Sequence, residues 1–172
     1  MLPNVLVDGV TLVNPKTRKQ WIEELKYTAL NTIWQYAYIQ ENILNMYEKI
    51  KLCGETLREY ESEKGMKFDY VISTREDIIL MKDMDLDKLI PKIRKSATDP
   101  GCDILAKNCL TWKGINLRFW ILSGTNGIEF LSSKIKYYKS LISSRRKIYN
   151  PESYDLAHLT SLNFVHCGIS VN

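Results

Sequence analysis

Short apolar runs alternate along the chain with longer stretches in which apolar residues recur every three or four positions. Phe68 to Ile72 is largely apolar and β-prone, halts at Ser73-Thr74, and meets three charges at once, Arg75, Glu76 and Asp77, before Ile78-Ile79 resumes. This predicts a buried strand over 68–74 that delivers charge at its end. Ile104 to Ala106, Arg118 to Ser123 ("RFWILS") and the late segment "VHCGISV" read as three further strands. From Arg18 to Lys64 the spacing is helical, through Trp21, Leu25, Ile33, Ile43, Tyr47, Ile50, Leu57 and Tyr60. A break is expected near Asn31-Thr32 or within Cys53-Gly54, and Gly65 is a suitable stop because glycine takes the left-handed conformation without penalty.

Ile128, Leu131, Ile135, Tyr138 and Ile142 predict one long amphipathic helix over 124–144. Pro151 at a first helical position, with Glu152 in the first turn, starts another helix to about Phe164. Leu86 to Arg94 reads as a short helix with Pro91 at a turn or kink, and residues 3–13 as a short strand or hairpin turning at Asp8-Gly9. Helices alternating with short apolar strands are the α/β pattern, and 172 residues are enough for one domain, 1–172, with a real core.

Composition changes this picture little. The formal charge of +4 is mild and mixed in sign, which suits a protein handling anionic ligands but gives no ground for a nucleic-acid partner. Lys134, Lys136, Lys139, Arg145, Arg146 and Lys147 form the most basic segment and read as a solvated helix face with its end. Cys53, Cys102, Cys109 and Cys167 follow no metal-binding spacing, so reduced thiols and a cytoplasmic location are the expectation. No stretch approaches the roughly 18 uninterrupted apolar residues of a membrane span, and the N-terminal segment does not read as a signal peptide.

In an open α/β sheet, ligands gather at the carboxyl ends of the strands. Arg75, Glu76 and Asp77 occupy that place after the best strand. Two carboxylates there suit Mg²⁺ or Mn²⁺, hard ions that bridge to phosphates, while an adjacent arginine balances phosphate charge with forked hydrogen bonds. The competing reading is a polar turn. Gly124-Thr125-Asn126-Gly127 before a helix reads as an anion cradle or, more simply, as a cap. His158 and His166 have no convincing nucleophile beside them and read as structural. Trp112 suits stacking on a sugar, Trp120 the core.

Taken in order, "FDYVISTRED", "KNCLTWKGINLRFWILSG", "KIKYYKSL" and "YNPESYDLAHL" resemble the small glycosyltransferase-like proteins of large DNA viruses, algae, plants and fungi. The typical pattern of that family has "YD-V-R-R-D" at a strand end, then "W-G-I-x-D-R", then "N-P-E". The resemblance covers roughly Trp34 to Leu159. It implies an α/β fold of GT-A type, a partial Rossmann-type sheet flanked by long helices, with a metal-dependent transfer of sugar from a nucleoside-diphosphate sugar to a glycan or glycoprotein. By position it makes Asp77 and Glu76 the ligands of Mn²⁺ or Mg²⁺ and Asp77 and Glu152 the catalytic carboxylates. Arg75, Trp112, Gly114 and Arg118 then line the donor or acceptor site. The abundance of Ile, Lys and Asn is compatible with the AT-rich genome of a large virus, and the expected location is the cytoplasm, that of the host if the protein is viral. Two departures point to an alternative, a non-catalytic scaffold or a subunit of a larger transferase assembly. Leu117 stands where the family carries an acidic residue, and the first thirty or so residues do not clearly supply the family's N-terminal nucleotide-binding unit.

Overall fold

The computed structural model describes residues 14–25, 37–74, 85–94, 99–107, 119–144 and 151–169. The expected hairpin over 3–13 and the expected break at Asn31-Thr32 lie outside them. The elements run α1 (Arg18–Leu25), α2 (Ala37–Lys64), β1 (Tyr70–Thr74) and α3 (Leu86–Leu89), which passes into a 3-10 turn (Ile90–Lys92). Then come β2 (Ile104–Lys107), β3 (Phe119–Ser123), α4 (Gly124–Ser132), α5 (Lys134–Ser143), α6 (Pro151–Ser161) and β4 (His166–Ile169). This is an α/β fold built on a small mixed sheet of order β1-β3-β2-β4.

Strand β3 is buried at all five positions because it is central and both its faces are covered. Trp120 and Leu122 point, with Val71, Ile104 and Ala106, toward Ile128, Phe130 and Leu131 of α4 and Leu159 of α6. Phe119 and Ile121 point the other way, with Leu105, toward Ile93, Cys102 and the partly buried Leu86 and Leu89. A separate helical core joins Trp21 and Leu25 of α1 to Ile43, Leu44 and Tyr47 of α2, Ile135, Tyr138 and Leu141 of α5, and Tyr154 of α6. Each fully buried large apolar side chain in these layers contributes about 1.5–3 kcal/mol.

Gly65 ends α2 at φ 61°, as its type allows, and the Met66 amide closes on the Glu61 carbonyl at 3.2 Å. The buried Glu61 carboxylate then accepts from the Phe68 amide at 2.9 Å and from Lys67 at 2.6 Å, which fixes the entry to β1. Of the two alternative places for a break, Cys53-Gly54 is not one. Helix α2 runs straight through Gly54, whose missing Cβ lets α4 approach: a Cβ there would stand 2.6 Å from the Ser132 nitrogen. The expected single helix over 124–144 is instead two helices. They part at Ser133 (φ −89°, ψ 1°), whose hydroxyl donates to the Glu129 carbonyl at 2.7 Å and meets His158 Nε2 at 2.9 Å.

The expectation of reduced thiols fails at one pair. Cys102 and Cys167 form a disulfide with Cα atoms 5.9 Å apart, because parallel pairing of β2 with β4 brings positions 65 residues apart into contact. Cys53 is a free, exposed thiol, and Cys109 lies outside the described residues. Among the described residues no helix is long and apolar enough to cross a membrane.

Candidate functional site

Strand direction decides where a site can form. β1 is antiparallel to β3, β3 is antiparallel to β2, and β2 is parallel to β4, so β3 alone is reversed. The carboxyl ends of β1, β2 and β4 therefore share one edge of the sheet, at Thr74, Lys107 and Ile169. Phe119, the first residue of β3, joins them there. Thr74 and Phe119 are register partners. The residue after Thr74 is Arg75 and the residue before Phe119 is Arg118. The two segments singled out from the sequence, 75–77 and 112–118, thus adjoin the described structure at one pair of neighbouring strand positions. Arg75, Glu76, Asp77, Trp112, Gly114 and Arg118 themselves lie outside the described residues.

Glu152 is described. It stands half-buried in the first turn of α6, behind Pro151, whose carbonyl accepts from the Tyr47 hydroxyl at 3.4 Å. Helix α6 buries Tyr154, Asp155, His158 and Leu159 in the core, and Glu152 flanks that buried stripe, where its charge acts on Asp155 and Tyr47. Along its outer face Ser153, Leu156, Ala157, Thr160 and Ser161 line a shallow groove of about 390 Å³ that carries no charge. Among the described residues no three His, Cys, Asp or Glu side chains gather as a metal site would require.

A buried ion pair forms where the sequence suggests a solvated face. Lys134 is fully buried rather than solvated, and its ammonium donates to Asp155, also fully buried. It lies 3.3 Å from the Phe130 ring centre and 5.2 Å from that of Trp120, with Tyr47 and Tyr154 closing the cage. The Tyr154 hydroxyl donates to the Lys134 carbonyl, and Tyr154 stacks on Tyr47 at 4.6 Å. Burial pulls the ammonium down to about 8 despite Asp155, and pushes the Asp155 carboxyl up to about 6 despite Lys134. His158 is held neutral, far below its ordinary value, by burial first and by the Lys134 charge second. Its Nε2 meets the Ser133 hydroxyl, which already donates to the Glu129 carbonyl. Nothing in the local spacing of Lys134 and Asp155 marks them, because their burial is created by α4, α5 and α6 meeting.

The opposite edge of the sheet holds a second ionic hub. Asp103, fully buried ahead of β2, accepts from Arg94 through Nε at 2.7 Å and through Nη2. It also accepts from Asn126 at 2.6 Å and from the Val165 amide at 2.7 Å. The Ser123 and Gly124 amides donate to the carbonyls of Asp103 and Asp69, so the start of α4 is sealed by the protein's own groups. "GTNG" forms the first turn of α4 rather than its cap: the N-cap is Ser123, whose side chain makes no capping bond, the Asn126 side chain goes to Asp103, and a Cβ on Gly124 would fall 1.6 Å from the Phe68 oxygen.

No protein-family model matches the chain, and no curated protein or solved structure matches it.

Proposed function

We propose that the chain is a metal-dependent glycosyltransferase of GT-A type, moving a sugar from a nucleoside-diphosphate donor to a glycan or glycoprotein acceptor. The observation that supports this reading is the shared sheet edge. Three strands direct their carboxyl ends to it, and the acidic segment 75–77 and the segment 112–118 are both joined to it at the Thr74–Phe119 pair. That is where an open α/β sheet takes a ligand. The carboxylates of Asp77 and Glu76 are hard oxygen donors of the kind Mn²⁺ and Mg²⁺ prefer. A cation held there would neutralise the departing diphosphate. Arg75 and Arg118 would carry the remaining phosphate charge, Trp112 with Gly114 would form an apolar wall for the sugar, and Glu152 would address the acceptor.

A second reading, a non-catalytic scaffold or a subunit of a larger transferase assembly, is favoured by Leu117, which stands where the resembled family carries an acidic residue. Calorimetric titration with a panel of nucleotide sugars, with and without Mn²⁺, separates the two. Binding of one donor that requires Mn²⁺ is the expected result. No donor binding in the presence of Mn²⁺ favours the scaffold.

A further inference from the structure

We propose that Cys102 and Cys167 are a redox-active pair that latches β4 onto the sheet when oxidised and frees it when a dithiol reduces them. The two cysteines are held very differently. Cys102 is fixed whatever its partner does: its amide donates to the Lys92 carbonyl at 3.0 Å and its carbonyl accepts from the Arg94 amide at 3.0 Å. Its sulfur is wholly buried beside Ile93 and Leu105, 3.3 Å from the Lys92 oxygen. A disulfide sulfur has no proton to give, but the reduced thiol has an acceptor already in place. The Cys102 pocket therefore accommodates both states.

Among the described residues Cys167 belongs to an edge strand. There β4 pairs with β2 alone, over the four positions Ile104–His166 to Lys107–Ile169, and none of its residues is buried. Ahead of it, the Val165 carbonyl accepts from the Asp103 and Ile104 amides and its amide donates to Asp103, so residue 165 stays tied by bonds that owe nothing to sulfur. Loss of the disulfide leaves β4 held by its short ladder to β2 and by the partly buried Cys167 and Ile169 alone, so it is the part of the sheet expected to open first, hinged at Val165. Its departure uncovers the outer edge of β2, whose carboxyl end lies on the same sheet edge as the candidate site.

The exchange balances without any group beyond the reductant. A dithiol's thiolate attacks the sulfur of Cys167, the less buried of the two. A new sulfur–sulfur bond forms there, the Cys167–Cys102 bond breaks, and its electron pair leaves on Cys102, which takes a proton and donates to Lys92. The reductant's second thiolate then attacks its own first sulfur, expelling Cys167 as a thiolate and leaving the reductant as a cyclic disulfide.

The test uses the full chain, alkylated before digestion and kept non-reducing. A tryptic peptide 96–107 joined to peptide 148–172 is expected and must vanish on treatment with dithiothreitol. Hydrogen–deuterium exchange then compares the two states. Reduction is expected to speed exchange over 166–169 by about tenfold or more while α2 and α4 stay protected. Cys167→Ser should exchange like the reduced protein and ignore dithiothreitol. If that variant does not fold, the wild-type comparison alone decides. Absence of the joined peptide even after an oxidant such as diamide overturns the proposal. So does unchanged exchange over 166–169, or acceleration spread evenly over every element, which would make the bond a global staple.

Discussion

Lys134 and Asp155 form an ion pair in which neither side chain exposes any surface, 21 residues apart in sequence. Desolvation opposes both charges, so the pair stabilises the fold less than its contact implies, while either partner alone is worse. Asp155→Ala, which strands a buried ammonium, should cost about 3–5 kcal/mol, and the double change Lys134→Met with Asp155→Leu should recover most of that loss. Urea unfolding of the three proteins checks this, and a harmless single substitution would refute it.

The same pair sets a pH dependence. The folded Asp155 carboxyl titrates near 6, above its unfolded value, so the native state holds the extra proton and stability falls as pH rises from about 4 to 6. The folded Lys134 ammonium titrates near 8, below its unfolded value, so the unfolded state holds the extra proton and stability rises from about pH 8 to 10. Relative to the double variant, the wild type should show a trough between pH 6 and 8 in urea-derived stability. A flat difference would show that the pair does not titrate this way.

Gly54→Ala tests the α2–α4 crossing. In an open helix that change would stabilise by about 1 kcal/mol. Here the new methyl would meet Ser132 N at 2.6 Å and Leu131 Cβ at 2.9 Å, so destabilisation of about 1–3 kcal/mol is expected from thermal or urea melts. A gain in stability would mean that α4 yields.

Asp103 should behave as an acid-sensitive clasp. Burial alone would raise its carboxyl, yet hydrogen bonds from Arg94, the Val165 amide and Asn126 outweigh it and hold it below the usual range. Its stabilisation is therefore present above about pH 4 and lost as the pH falls through the lowered folded value. Asp103→Ala should cost about 3 kcal/mol at pH 7 by leaving Arg94 without its buried partner, and the penalty should shrink toward pH 3 in urea titrations.

Asp77→Asn should weaken Mn²⁺-dependent donor binding by tenfold or more, about 1.4 kcal/mol, and remove the Mn²⁺-dependent rise in melting temperature that a donor produces. Unchanged donor binding would take the metal away from position 77.

What the sequence revealed and concealed follows from the range of each interaction. "RFWILS" announced a strand because Phe119 to Leu122 are four consecutive apolar residues, as burial on both faces requires, and β3 is buried throughout. Gly65 and Pro151 marked helix ends through backbone chemistry confined to a single residue. Gly54 misled, since a glycine written for close approach to α4 looks the same as one written for a break. The division at Ser133 was hidden because Ile128, Leu131, Ile135 and Tyr138 keep their spacing across it. Lys134 looked like its exposed neighbours because its cage is assembled from α2, β3, α4 and α6. The disulfide was illegible for the same reason. The sheet edge at Thr74 and Phe119 was legible as the end and the start of two strands, but not that the two are partners.

The sheet order also has a consequence for synthesis. Among the described residues β2 stands inside the sheet because β4 covers its outer side, and the first tie between them joins Asp103 to Val165 across 62 residues. At ribosomal speeds that interval lasts about 3–12 s. Throughout it, the apolar Ile104, Leu105 and Ala106 present an open hydrogen-bonding edge to whatever other chains are near. A nascent chain is thus most prone to sticking after "CDILA" has emerged and before "VHCGI" arrives. Pauses placed between them would lengthen that exposure, and chaperone capture would be most useful there.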